Sequence, residues 1–94
     1  MVTVGMHYHV LPDGQDTFER IFEELLALMQ KTKGHRETRL YREVGRPDHF
    51  YILSHWDNED AYHAFVRGEA FDEVLTGRGR KILAGRPHHQ IYYP

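Results

Sequence analysis

Apolar and polar residues alternate strictly at the start of the chain. Val2, Val4, Met6, Tyr8 and Val10 fall on one parity, and Thr3, Gly5, His7 and His9 on the other. A two-residue period sends the two sets to opposite faces of a strand, so residues 2–10 read as a half-buried β-strand. Leu11-Pro12-Asp13-Gly14 is a turn signal. The period then lengthens: Phe18, Ile21, Phe22, Leu25, Leu28 and Met29 recur at helical spacing and form one apolar stripe. Asp16 with Glu19 reads as a capping pair at the helix start, and Gly34 as its stop.

Residues 35–44, HRETRLYREV, are charged and read as a strand near a sheet edge. GRPDH at 45–49 reads as the turn into an apolar strand, FYILSHW, at 50–56. Asp57 or Asn58 then caps a helix carrying Ala61, Tyr62, Phe65 and Val66. Gly68 interrupts it, and Phe71, Val74 and Leu75 continue as a second short helical piece. Residues 76–85, TGRGRKILAG, read as a connection with at most one helical turn, a flap over a cleft. RPHHQIYY at 86–93 is the last strand.

The order strand–helix–strand–strand–helix–strand is the α+β, ferredoxin-like βαββαβ arrangement, here one domain over residues 1–94. Right-handed crossovers place the third strand between the first and second, giving a four-stranded antiparallel sheet of order 4-1-3-2. In FYILSHW, Phe50, Ile52 and Trp56 share one face while Tyr51 and Leu53 lie on the other. Two helices cover one face only. An apolar second face needs its own cover, and a second copy packing its sheet there, as a homodimer, satisfies that need.

Composition narrows the classes. Ninety-four residues, 40% hydrophobic, make one small domain whose core is marginal alone. Cysteine is absent, which removes disulfides and thiolate metal sites. A net charge of −2 argues against a nucleic-acid partner. The start MVTVGMHYHV lacks a signal-peptide pattern and no segment has the length of a membrane span, so the expected location is cytoplasmic, with no membrane partner.

Histidine is the unusual feature: eight in 94 residues, mostly on or beside expected strands. Antiparallel pairing brings His9 towards His49 and away from His55, and starts the last strand, with His88 and His89, near the first. His7, His9, His49 and one of His88 and His89 therefore gather at one end of the sheet, with His35 and His55 at the other. Three readings follow: independent histidines with local hydrogen bonds; a neutral imidazole acting as a base; or a metal site drawn from His9, His49, His88 and His89. His63 reads as a solvated helix residue. Arg78, Arg80 and Lys81, with Gly77 and Gly79, suit an anion-contacting loop but lack phosphate-loop spacing. Trp56 reads first as packing, with a nearby acceptor for its N–H, and second as a pocket wall.

The run ILSHW, then DNEDAYHAF, then GEAF, with Trp56, Ala61, Tyr62, Phe65 and Phe71 in place, resembles the antibiotic biosynthesis monooxygenase domain family. The resemblance implies a dimeric α+β barrel and a cofactor-independent monooxygenase of a small aromatic phenol or quinol. Its substrate would lie between sheet and helices near Phe18, Phe22, Trp56, Phe65 and Phe71. His7 or His9 would be the base, and the resulting anion would itself reduce dioxygen. The alternative is a dimeric binding module for a small hydrophobic ligand, haem or a transition metal. The haem-degrading branch carries an asparagine, a tryptophan and an axial histidine where this chain has His7, Phe65 and Leu75, so that mechanism is not expected.

Overall fold

The opening alternation becomes β1 (Val2–His9), in which Val2, Val4, Met6 and Tyr8 are buried and the residues between them are half-buried. The structure, a computed structural model, describes the backbone of residues 1–94 and every side chain but that of Thr76. The second apolar stripe becomes α1 (Gln15–Gln30), burying Phe18, Ile21, Phe22, Leu25 and Met29. Its start corrects the expected capping pair. Gly14 occupies the N-cap without a side-chain hydrogen bond, and Asp16 lies inside the first turn. The preceding turn is already closed by the Gly14 N–H on the Leu11 carbonyl at 2.8 Å, so no side-chain cap is needed to set the entry. Asp16 still opposes the helix dipole.

The stop is also earlier than Gly34. α1 ends at Gln30, and the Thr32 hydroxyl donates to the Leu28 carbonyl at 2.8 Å. Gly34 instead turns the chain into β2 (His35–Glu43) at φ +92°, and a Cβ there would lie 2.5 Å from that of Ala61. Its carbonyl accepts the Asp57 N–H at 2.7 Å, tying the α1–β2 corner to the end of β3.

β3 runs Arg46–Trp56, longer than expected, because the hairpin turn is Val44-Gly45 and not GRPDH. Gly45, at φ +89°, supplies the left-handed residue a tight hairpin requires. Pro47 falls opposite a register shift between Arg42 and Glu43, where no regular ladder bond is lost.

α2 (Glu59–Val66) is capped by Asn58, which accepts the Ala61 N–H at 2.9 Å; Asp57 pairs with Arg36 instead. A one-turn α3 (Glu69–Phe71) leads into a π-helical stretch, Asp72–Arg78, and a 3₁₀ turn, Gly79–Ile82, so this connection is more helical than its composition suggested. The last strand, β4, is shorter than expected, at His88–Tyr92.

The sheet order is β2-β3-β1-β4 with every pairing antiparallel, which is the 4-1-3-2 order. Charged β2 is an edge strand, as its composition suggested. One sheet face packs on the helices around Trp56, Tyr8, Phe18 and Phe50. The other carries Thr3, Gly5, His7 and His9 of β1 beside His49, Tyr51, Leu53 and His55 of β3. No helix among the described residues is long and apolar enough to cross a membrane.

Candidate functional site

Trp56 is a core residue. It is fully buried, and its Nε1–H donates to the equally buried Ser54 hydroxyl at 2.7 Å. Phe65 and Tyr62 pack on its ring, and His35 meets it edge-on at 5.0 Å. Phe18 lies against Tyr8 and Phe50. Phe22 and Phe65 are buried with them in the same cluster.

A cavity of about 480 Å³ opens beside this core, between β1, β4 and the segment after α3. Its walls include Tyr8, Phe71 and Leu75, with His89 on one side and Arg80 and Arg86 as cations. That volume suits a small organic ligand. Of the five aromatics expected around a substrate (Phe18, Phe22, Trp56, Phe65 and Phe71), only Phe71 lines this cavity.

His89 is held by two phenols. The Tyr62 hydroxyl lies 2.7 Å from Nδ1 and the Tyr8 hydroxyl 3.1 Å from Nε2. A neutral imidazole donates from one nitrogen and accepts at the other, which satisfies both contacts. One flank of the ring is open to solvent, yet the aromatic wall behind it, Tyr8, Tyr62 and Phe71, withholds enough water to lower its pKa. The same loss of water raises both phenols: Tyr62 is pushed up to about 12, and Tyr8, with Tyr62 adding to the effect, well above the usual phenol range. At neutral pH the site is thus a free-base imidazole between two protonated tyrosines.

His7 and His9 lie elsewhere. Alternation turns them to the open face, across the sheet from Phe18, Phe22, Trp56, Phe65 and Phe71. Within one subunit the sheet therefore stands between these imidazoles and that aromatic cluster. On the open face, His7 Nε2 meets His49 Nδ1 at 2.9 Å, and His9 Nε2 meets Asp48 Oδ2 at 2.9 Å. His9 and His49 stack at 4.1 Å, and His88 lies 6.4 Å from His7, ring to ring. His7, His9, His49 and His88 therefore gather on this face, while His89 turns to the other. Burial, with His49 and His88 close by, lowers the pKa of His7. His55 bonds Thr3 at 2.9 Å, His35 bonds Thr38 at 2.7 Å, and His63 pairs with Glu59 at 3.1 Å.

The Tyr8–His89–Tyr62 arrangement escaped the sequence reading. Its partners are 81 and 27 residues apart. In the sheet Met6 pairs with His89, which puts His89 on the parity of Tyr8, and no sequence pattern fixes that register. Arg80 was visible only as part of a Gly- and Arg-rich connection, and Arg86 only as the start of the last strand.

A family model described as antibiotic biosynthesis monooxygenase matches residues 1–76. The chain belongs to that family. A Natronomonas pharaonis protein, named as a proposed heme-binding protein, is 38% identical over 87 residues, which are 93% of this chain and 14% of that protein. The chain spans between 13% and 18% of the length of the curated relatives it matches. Among solved structures, a conserved protein from Methanosarcina mazei aligns with a TM-score of 0.89 at 21% identity, over 97% of this chain and 89% of that one. SnoaB, a cofactor-independent oxygenase from Streptomyces nogalater, aligns at 0.84 with 19% identity, over 99% and 91% of the two chains. At such identities the likeness establishes the fold.

Proposed function

We propose that this domain is a cofactor-independent monooxygenase of a small phenol or quinol, with its substrate in the cavity beside His89. The observation that supports it most is the free-base imidazole fixed between Tyr62 and Tyr8 at the wall of an aromatic cavity. With Nδ1–H donating to the Tyr62 oxygen, Nε2 is the acceptor. The longer Tyr8 contact is the one a substrate hydroxyl replaces. Inserted there, the hydroxyl donates to Nε2 and accepts from Tyr8, so no buried group loses its partner. Proton transfer to Nε2 leaves an anion beside Arg80 and Arg86, whose charge favours it. The anion passes one electron to dioxygen and the radical pair recombines at carbon. Loss of water then gives a carbonyl with no external reductant: a CH₂ and O₂ become C=O and H₂O, and a quinol with a ring CH and O₂ becomes a hydroxyquinone and H₂O.

Oxygen uptake with a panel of hydroquinones and anthrone-like phenols tests this. His89→Gln is expected to abolish turnover, while His7→Ala and His9→Ala leave it in place. Full turnover by His89→Gln refutes the assignment.

The same proposal pairs two copies through the open sheet face, where Tyr51 is 37% exposed and Tyr92 51%. Sedimentation at micromolar concentration is expected to give a dimer, and Tyr51→Glu to weaken it. A compact single copy refutes the pairing.

A second reading, retention of a planar hydrophobic ligand without turnover, is favoured by the name of the Natronomonas relative. Haem itself fits this cavity poorly. Leu75, a wall residue, has no ligating atom, and iron on His89 Nε2 would leave the buried Tyr8 hydroxyl without its imidazole partner. That name also describes a protein of which this chain matches 14%. An absorption spectrum of purified protein separates the readings: a haem band favours retention, and oxygen uptake without one favours the oxygenase.

A further inference from the structure

The open face carries donors that the proposed reaction does not use. Val10 N–H donates to the Asp48 carbonyl at 2.9 Å, which marks that position of the β1–β3 ladder as hydrogen-bonded. The next pair, His9 and His49, is therefore the close, non-hydrogen-bonded kind, with side chains nearest across the strands. One ligating atom from each of His9, Asp48 and His49 lies within 4.8 Å of the others. His7 lies outside that group of three and holds His49 from behind, its Nε2 2.9 Å from His49 Nδ1.

We propose that His9, Asp48 and His49 form a binding site for a divalent transition metal of the zinc, cobalt or nickel type. Two imidazoles and one carboxylate are a borderline-soft donor set, which such ions prefer over magnesium or calcium. Tetrahedral zinc with nitrogens at about 2.0–2.1 Å holds its ligands about 3.3 Å apart. The three donors, already within 4.8 Å of one another, close to that spacing by side-chain rotation, and water takes the fourth position. His88 lies beyond His7 and His89 on the opposite face, so neither belongs to the set. All three donors come from one chain, which sets one metal per chain whether or not copies pair.

Cobalt(II) titration of the metal-stripped full chain, followed by visible absorption and by metal analysis after desalting, tests the site. Expected are one cobalt per chain with the intense bands of four-coordinate geometry, and competition by zinc. His49→Ala should weaken binding more than about 10-fold, the least that loss of even a supporting group costs. His63→Ala, on α2 beside Glu59, should not. If circular dichroism shows His49→Ala unfolded, Asp48→Asn carries the same expectation. Substoichiometric binding, six-coordinate spectra, or equal affinity in the folded His49 or Asp48 variant and in His63→Ala overturns the proposal.

Discussion

Ser54→Ala is a one-atom test of how the middle strand is held. Ser54 and Trp56 are both fully buried, and among the described residues the indole N–H has one hydrogen bond, the 2.7 Å contact to the Ser54 hydroxyl. Removing that oxygen strands a donor where water cannot follow, at a cost of about 1–3 kcal/mol. For a domain of this size each kcal/mol moves the melting temperature by about 4–8 °C, so a drop of roughly 5–20 °C is expected. The chain has one tryptophan, so its fluorescence reports from the altered position itself. Thermal melts followed by circular dichroism and by that emission should fall together. Trp56→Phe removes the other partner, together with packing area. If the hydrogen bond is the reason, the double variant is less destabilised than the two singles summed, by about 1 kcal/mol or more. A melting temperature unmoved by Ser54→Ala, or strictly additive singles, refutes the argument.

Two further predictions follow from titration and from backbone geometry. The pKa values of His7, His35 and His89 are all lowered in the fold, chiefly by burial, so the unfolded chain binds more protons near pH 6.5 and below. Urea midpoints should therefore fall between pH 7.5 and about pH 5.5, in a window set by the free imidazole value; a flat profile there refutes it. Glu43, held at about 2 mainly by its Arg46 hydrogen bond, contributes in a separate window, with stability present at neutral pH and lost only in stronger acid. Gly34→Ala should cost clearly more than Gly45→Ala. Both residues have positive φ, worth about 1–2 kcal/mol for a non-glycine, but only Gly34 would press a Cβ onto Ala61, at 2.5 Å, while Gly45 faces open space. Equal denaturation midpoints for the two variants would show that the contact with Ala61 relaxes freely.

The sheet was legible because its signals are local. The parity of Val2 to Val10, the stripe from Phe18 to Met29 and the right-handed crossover together force β1 between β3 and β4. Boundaries were lost where two local signals compete. Arg46-Pro47-Asp48 reads as a chain breaker, yet Gly45 had already made the turn and the strand simply resumed. Asp16 reads as a cap, yet the turn before it closes through backbone atoms. The cavity depends on contacts no local pattern encodes. Which of two adjacent histidines faces Tyr8 is a question of register between β1 and β4, and Tyr62 arrives from a helix.

Ile91 polices the alignment of β4. Within the sheet this short border strand pairs with β1 alone, where slippage is cheap. Sliding it by one residue exchanges the two imidazoles between faces, and in one direction His88 simply takes the place of His89 beside Tyr8. The same slip turns Ile91 away from the core it packs against and out to the open face. The aliphatic side chain, not the histidine doublet, therefore holds the register.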